Sequence, residues 1–402
     1  NHYTKSAFSP IREIPMNLHL APRHVFRVIC IGVVAVLSNP VDCVAGEIDE
    51  LTATIRDIGP KGEGHVAAQQ AWKSLSAQPV SELVTVLKGF QGANQLATNW
   101  LRGAVDAIAQ TALNESKSLP ETELQAFVID HENAPLARLT AYEWLLRVNP
   151  KIKKSLLPHF LDDSSLELRR DAVASLLDSA KLSADKSQAE TVIAAYRRAL
   201  NHARDLDQID EATKQITDLG GMVDLPRHFG FLLDWHVIAP FDNTNKKGLD
   251  INYTPELDAN RFIDSAVTHL GKLPDLKWKN AASEERFGIV DLNGIYPDKY
   301  KGAIAYAHTT FESSSAQNVQ LRLGCINANK IWINGKLLTR NNVYHANMMI
   351  DQYIVNASLK KGSNRILLKI AQNEQEESWA QRWQFQLRVC DSNGTAILAT
   401  DR

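Results

Sequence analysis

At 402 residues the chain is long enough for two or three domains. Its 44% hydrophobic and 22% charged residues exclude extended disorder. A formal charge of −2, with no basic tail, excludes a general nucleic-acid binder, which needs a positive field.

The chain opens on Asn1, residues 1–15 are read as an upstream extension, and a familiar pattern begins at Met16. Arg23, His24 and Arg27 precede an apolar run from Val28 to Leu37; Asn39-Pro40 breaks it, and small residues follow at Val44-Ala45-Gly46. A basic n-region, a short apolar h-region and a small-residue site describe a cleavable signal over 1–46. The run is too short to span a bilayer unaided, so no stable membrane span is expected after cleavage; an uncleaved signal anchor or a buried strand is the alternative. Export to the periplasm or the extracellular space is therefore expected, and loss of 1–46 would change the net charge to −4. Only Cys325 and Cys390 would then remain; they are expected either as a disulfide, which export permits, or as two buried thiols.

Residues 47–220 carry helix signals. Gly59–Gly64 is glycine-rich, but no strand precedes it and no Gly-Lys-Ser/Thr closes it, so it is a turn and not a phosphate cradle. Ser81 is the expected N-cap of a helix burying Leu83, Val86, Leu87 and Phe90. Further stripes are expected at Leu96, Trp100 and Ile108, at Leu139, Trp144 and Leu145, at Ile193, Tyr196 and Leu200, and at Ile209, Ile216 and Leu219, with a stop at Gly220-Gly221. Trp72, Trp100 and Trp144 are read as helix-packing core. Arg138–Leu146 and Arg169–Leu177 share an Arg-x-x-Ala-x-x-x-Leu-Leu pattern 31 residues apart, each after a turn-like cluster. That echo resembles HEAT-like α-repeats, whose helix pairs stack into an α-solenoid; an irregular helical bundle is the alternative.

Residues 221–230 read as a linker, and strands dominate 231–402. Val319, Leu321, Leu323 and Cys325 alternate with polar residues, and Ile331-Trp332-Ile333 runs into the hairpin turn Asn334-Gly335. Further strands are expected at 303–310, 353–359, 365–370 and 383–389, giving an all-β antiparallel sandwich after the helical part. Alternation turns Trp332 away from Ile331 and Ile333, toward either a ligand or packing beneath other loops. Trp383, Phe385, Leu387 and Val389 are core.

Three segments carry a second resemblance. Trp235–Asn243, Asn329–Lys336 and Leu359–Ile370 resemble, in order and spacing, the opening strand, central Asn-Gly hairpin and Gly-x-Asn turn of galactose-binding-like jelly-roll sandwiches, with Ala239 where those usually have glycine. The resemblance implies a fold found beside glycoside hydrolases and in exported bacterial proteins, sometimes binding sugars and sometimes serving as scaffold. It brings no activity.

Two loops between strands hold sugar-recognition chemistry. Gln372, Asn373, Glu374, Trp379 and Arg382 lie in one, Tyr344 and His345 in the other. Aromatic faces stack on C–H groups, and planar polar groups pair with hydroxyls. The expected function is non-enzymatic binding of a carbohydrate or cell-envelope glycan at these seven residues. A protein-interaction scaffold using the helical repeats is the alternative, and a glycoside or ester hydrolase using Glu374, Glu376 or Glu377 the second. No zinc-ligand spacing, nucleophile elbow, Walker loop or Rossmann pattern occurs, so no cofactor is expected. Oxygen ligands at Asp242 and Asn243 leave calcium open.

Overall fold

The computed structural model describes residues 40–184, 188–257 and 267–401. The basic and apolar segments of the expected signal lie outside the described residues. Its last residues, from Pro40, begin helix α1 (Pro40–Arg56). No helix among the described residues is long and apolar enough to cross a membrane.

Helices continue with α2 (His65–Ser76), α3 (Leu83–Lys88), α4 (Gln95–Asn114), α5 (Glu121–Ile129) and α6 (Pro135–Val148). Then come α7 (Lys153–Leu156), α8 (Leu166–Ala184), α9 (Ala189–His202), α10 (Leu206–Asp218) and α11 (Leu225–Phe229). Packing is mainly between near neighbours in sequence: α2 on α4, α5 on α6, α8 on α9, α9 on α10. Short connections make this the inexpensive arrangement, because each apolar face is covered by the next helix to form.

Local details differ from the sequence reading. Leu83, Val86, Leu87 and Phe90 are buried as expected. Ser81, however, lies inside a 3₁₀ turn over Val80–Glu82 and caps nothing. On α4 the buried stripe is Ala97, Leu101, Ala104, Val105 and Ile108, one position out of phase with Leu96 and Trp100. Small alanines let α4 sit close to its neighbours, which leaves Leu96 exposed and Trp100 half-buried. Asn94 sets that phase, accepting from the Ala97 amide at 2.9 Å while donating to the Ile58 carbonyl at 2.7 Å. The α10 stop is as expected: Gly220 has φ +84° and the Gly221 amide bonds the Ile216 carbonyl at 2.8 Å. Leu219 lies outside the buried stripe and is exposed.

The two arginines of the repeated pattern meet at one residue. Arg138 is fully buried; its guanidinium donates to both Asp163 carboxylate oxygens and, through Nε, to the Val128 carbonyl at 2.7 Å. Arg169 Nη1 donates to the Asp163 carbonyl at 3.0 Å and to the Asn393 carbonyl, in the β-rich part, at 3.1 Å. Asp163 also accepts from the Ser165 amide at the start of α8. The acid of one turn thus pins the preceding helix, starts the following one and stands beside the link to the sheets.

The β-rich part contains β1 (Asp234–Asp242), α12 (Thr254–Leu257), β2 (Lys279–Ala282), β3 (Val290–Asp291), α13 (Leu292–Ile295), β4 (Ala303–Ser313) and β5 (Gln317–Cys325). It continues with β6 (Ala328–Ile333), β7 (Lys336–Asn341), β8 (Tyr353–Leu359), β9 (Gly362–Gln372) and β10 (Gln384–Cys390). They form a six-stranded sheet, ordered β2-β1-β4-β9-β6-β7, and a four-stranded sheet, ordered β3-β10-β5-β8. All paired strands are antiparallel. From β4 onward every connection except the β6–β7 hairpin changes sheet, which wraps the chain around one core. That hairpin turns on Asn334 (φ +48°) and Gly335 (φ +80°), the angles a tight primed turn requires.

Alternation places Ala303, Ala305 and Ala307 of β4 opposite Leu321, Leu323 and Cys325 of β5 and Phe385, Leu387 and Val389 of β10 in the inter-sheet core. Trp383 fills one end and is fully buried. The outer face of the larger sheet is buried too. Ile238, Phe241, Tyr306, Trp332 and Leu367 pack with Leu249, Tyr253 and Leu276 from covering segments. Trp332 therefore packs under neighbouring loops. Cys325 and Cys390 are free buried thiols on opposite sides of their sheet: Cys325 faces the core, and Cys390 continues the row of Gln386 and Arg388. Arg340 lies near the end of β7, with its guanidinium on Asp250.

Candidate functional site

Antiparallel pairing brings the β9–β10 loop, the β7–β8 loop and the end of β1 to the same end of the sandwich. Tyr344 and Gln372 meet at a residue from that third element. The Asn243 side-chain amide donates to the Gln372 carbonyl at 2.8 Å and to the Tyr344 hydroxyl at 3.1 Å. Lys246 holds its ammonium over the Tyr344 ring, 5.1 Å from the centroid, and the Asn245 amide donates to the Glu374 carboxylate. Burial and the Glu374 and Asp250 charges push the Tyr344 hydroxyl pKa up, despite the opposing bond from Asn243.

His345 joins the two loops directly. Its Nε2 lies 3.0 Å from the Asn373 side-chain oxygen, and its ring stands edge-to-face with Trp379, centroids 4.9 Å apart at 80°. His345 adopts φ +57°, a left-handed backbone that a non-glycine residue holds only when its surroundings fix it. Asn373 is 2% exposed and also donates to Gln375 at 2.6 Å. Trp379, by contrast, is 57% exposed, in a short 3₁₀ turn over Ser378–Ala380.

The seven expected residues therefore divide. Gln372 is buried; oriented to satisfy both ends, its side chain donates to the Tyr300 carbonyl at 2.9 Å and accepts from the Lys301 ammonium at 3.0 Å. Gln372 and Asn373 brace the loops, with their amides already engaged inside the protein. Tyr344 and His345 are half-buried supports, and Trp379 and Glu374 face solvent. Arg382 is exposed; its carbonyl accepts from Asn327 at 3.4 Å, and its guanidinium makes no hydrogen bond or ion pair among the described residues.

The sequence reading missed Asn243, Asn245 and Lys246 as parts of this end. Their turn-rich composition was visible, but pairing across 101 to 129 residues was not. Asp242 accepts from the Thr244 hydroxyl at 2.6 Å and lies 3.6 Å from the Lys272 ammonium, contacts that hold its pKa below the usual carboxylate range. A cation there would meet Lys272. Among the described residues no group of three or more His, Cys, Asp or Glu side chains is placed to hold a metal ion.

A second feature of the sandwich is a cleft of about 660 Å³ where β5 and β8 pass β6 and β7. Its polar groups largely answer one another: Ser358 donates to Asn318 at 2.9 Å, Gln320 to Asn356 at 3.3 Å, and Asn334 to Asn364 at 2.9 Å. None of the seven residues lines it.

No family model matches the sequence, and no curated protein matches it. Among solved structures, it is similar to part of a β-glucuronidase from an uncultured Clostridium sp., with 13% identity, 40% of this chain and 28% of that one covered, and a TM-score of 0.25. It is also similar to part of a β-glucosidase from Kluyveromyces marxianus, with 10% identity, 76% and 38% covered, and a TM-score of 0.26. The same enzyme in complex with glucose gives 10%, 76% and 37%, and a TM-score of 0.23. The chain thus spans well under two thirds of the length of these structures, and likeness at this level carries no argument about function.

Proposed function

We propose that the protein is an exported, non-enzymatic carbohydrate-binding protein, with HEAT-like repeats as a spacer and a galactose-binding-like sandwich presenting the site. The observation that carries this reading is the unit Trp379–His345–Asn373. A large apolar ring stands mostly in solvent, yet is held by a histidine that a buried amide orients. Rigid aromatic surface is what a pyranose C–H face packs on, and fixing it in advance removes the ordering cost from binding. Glu374 and Arg382 supply an acceptor and a donor set for hydroxyls around it. The intended partner is a cell-envelope glycan.

The test is a glycan array followed by calorimetry on the hits. Saturable binding is expected, weakened at least tenfold in Trp379→Ala, as expected for a central aromatic contact. His345→Ala should show a smaller loss through a looser ring. Thermal unfolding of Trp379→Ala should stay near wild type, because the ring is largely exposed. An array without a saccharide ligand, or full affinity in Trp379→Ala, defeats the reading. Turnover of glycosides abolished by Glu374→Gln would instead establish the hydrolase.

A further inference from the structure

Two clefts open along α4, and they differ in one respect. The cleft of about 510 Å³ beside Arg102, Asp106, Glu143 and Trp144 is chemically closed. Arg102 pairs with Glu143, the Trp144 indole donates to Asp106 at 2.8 Å, and Arg147 covers the Trp144 ring at 4.7 Å. The cleft of about 380 Å³ one turn earlier, between α2 and α4, is lined by Gln69, Trp72, Lys73, Asn99 and Trp100. There the two indole N–H groups, the two amides and the ammonium make no hydrogen bond or ion pair among the described residues.

The walls are nonetheless fixed. Trp72 lies against Gly103 of α4, where a β-carbon would stand 3.4 Å from its indole nitrogen. A glycine inside a helix costs roughly 1 kcal/mol relative to alanine, and here it gives the indole a flat seat on the backbone. Trp100 is met edge-to-face by His65, centroids 5.3 Å apart at 79°. Trp379 and His345 show the same arrangement in the β-rich part, at 4.9 Å and 80°. Both indoles of the α2–α4 cleft are half-buried, so their faces remain available.

We infer that the α2–α4 cleft is a second ligand site, for a pyranose that bears a carboxylate, such as a uronic acid residue of an acidic glycan. Two aromatic walls suit the C–H faces of a sugar ring. The polar lining has five donor groups, only two of which can also accept, and contains no carboxylate. That imbalance matches a ligand rich in acceptors, with the sugar carboxylate on the Lys73 ammonium, which has no acidic partner among the described residues. A polypeptide docked through its apolar side chains would leave these donors uncompensated. The site rests on its own geometry and does not depend on the loop site at Trp379.

The experiment is calorimetry of the full chain with an alginate tetrasaccharide and, as the neutral counterpart, cellotetraose, at low and at moderate salt. Alginate binding is expected to be the tighter and to weaken with salt. Trp100→Ala and Trp72→Ala should each lower alginate affinity tenfold or more, the scale of a buried aromatic anchor. Lys73→Glu, an exposed change that spares the fold, should abolish the preference for alginate over cellotetraose, and Trp379→Ala should leave alginate binding at this cleft unchanged. Equal affinity for both saccharides overturns the carboxylate assignment. No alginate binding, alginate binding indifferent to Trp100→Ala and Lys73→Glu, or a decaproline peptide occupying the cleft where alginate does not, overturns the site.

Discussion

Replacing Asp163 with alanine tests how the helical array holds together. The Asp163 side chain and the Arg138 guanidinium are both fully buried, and besides this carboxylate Arg138 meets the Val128 carbonyl and the Phe160 ring among the described residues. Removing the acid strands a buried positive charge, which costs about 3–5 kcal/mol when one partner of such a pair is deleted. The Ser165 amide loses its acceptor as well, about 1 kcal/mol more, though the two losses need not add. Urea unfolding should therefore show a midpoint shift equivalent to about 3–5 kcal/mol with an unchanged slope. Asp163→Asn, which keeps the shape and loses the charge, should fall between. The double variant Arg138→Met/Asp163→Leu should recover much of the loss, because neither member of the pair leaves its partner charged, buried and unanswered. A single Asp163→Ala variant within about 1 kcal/mol of wild type would refute the argument, since only a solvated pair behaves so.

Two further expectations concern titrating groups. Burial, then the neighbouring Arg365 and His236 charges, push the His308 pKa down to about 3. A depressed pKa means that the neutral ring contributes stability fully above the ordinary value of about 6.5, lost as pH falls toward 3. His308→Gln should flatten the loss of stability across that window in urea titrations, and an unchanged pH profile would show that the ring is not buried neutral. Burial also pushes the Cys325 and Cys390 thiols up to about 12 and about 11. At pH 8 a maleimide should modify neither until denaturant is added, as peptide mapping would show. Rapid labelling of either in the native protein would contradict the burial of that thiol's face of the four-stranded sheet.

The core of the sandwich was legible because one face of each strand is set by alternation: Leu321, Leu323 and Cys325 could point only one way together. Burial of the outer face was signalled less plainly. In β9 the run Ile366-Leu367-Leu368-Lys369-Ile370 is nearly continuous, which marks a strand covered on both sides. The covering residues Leu249 and Tyr253 lie in a polar, turn-rich stretch that alternation cannot read. On α4, large residues were weighted above small ones, so Trp100 was placed in the core where Ala97, Ala104 and Ala112 in fact make the contact. A helix face of alanines and one glycine is itself a signal of close approach, and it leaves bulky neighbours outside. Arg138 was visible as a repeated residue but not as a buried one, because its partner is 25 residues away and burial of a charge depends wholly on that partner.

The candidate sites show the same limit from the other side. Composition marked the loop residues as a group, since amides, acids and a tryptophan between strands have the chemistry of recognition. It could not tell which amides the protein spends on itself. Gln372 and Asn373 are as polar as Glu374, yet their groups close on Lys301, Tyr300, His345 and Gln375. What remains open to a ligand is defined by subtraction, and that requires every partner in three dimensions. Applied to the clefts described above, subtraction removes the Arg102–Trp144 cleft and most of the polar lining near Asn318. It retains Trp379 on its histidine and the Trp72–Trp100 cleft with five unused donor groups. Both retained places leave a tryptophan partly or largely exposed, and in both a histidine ring stands edge-to-face with it.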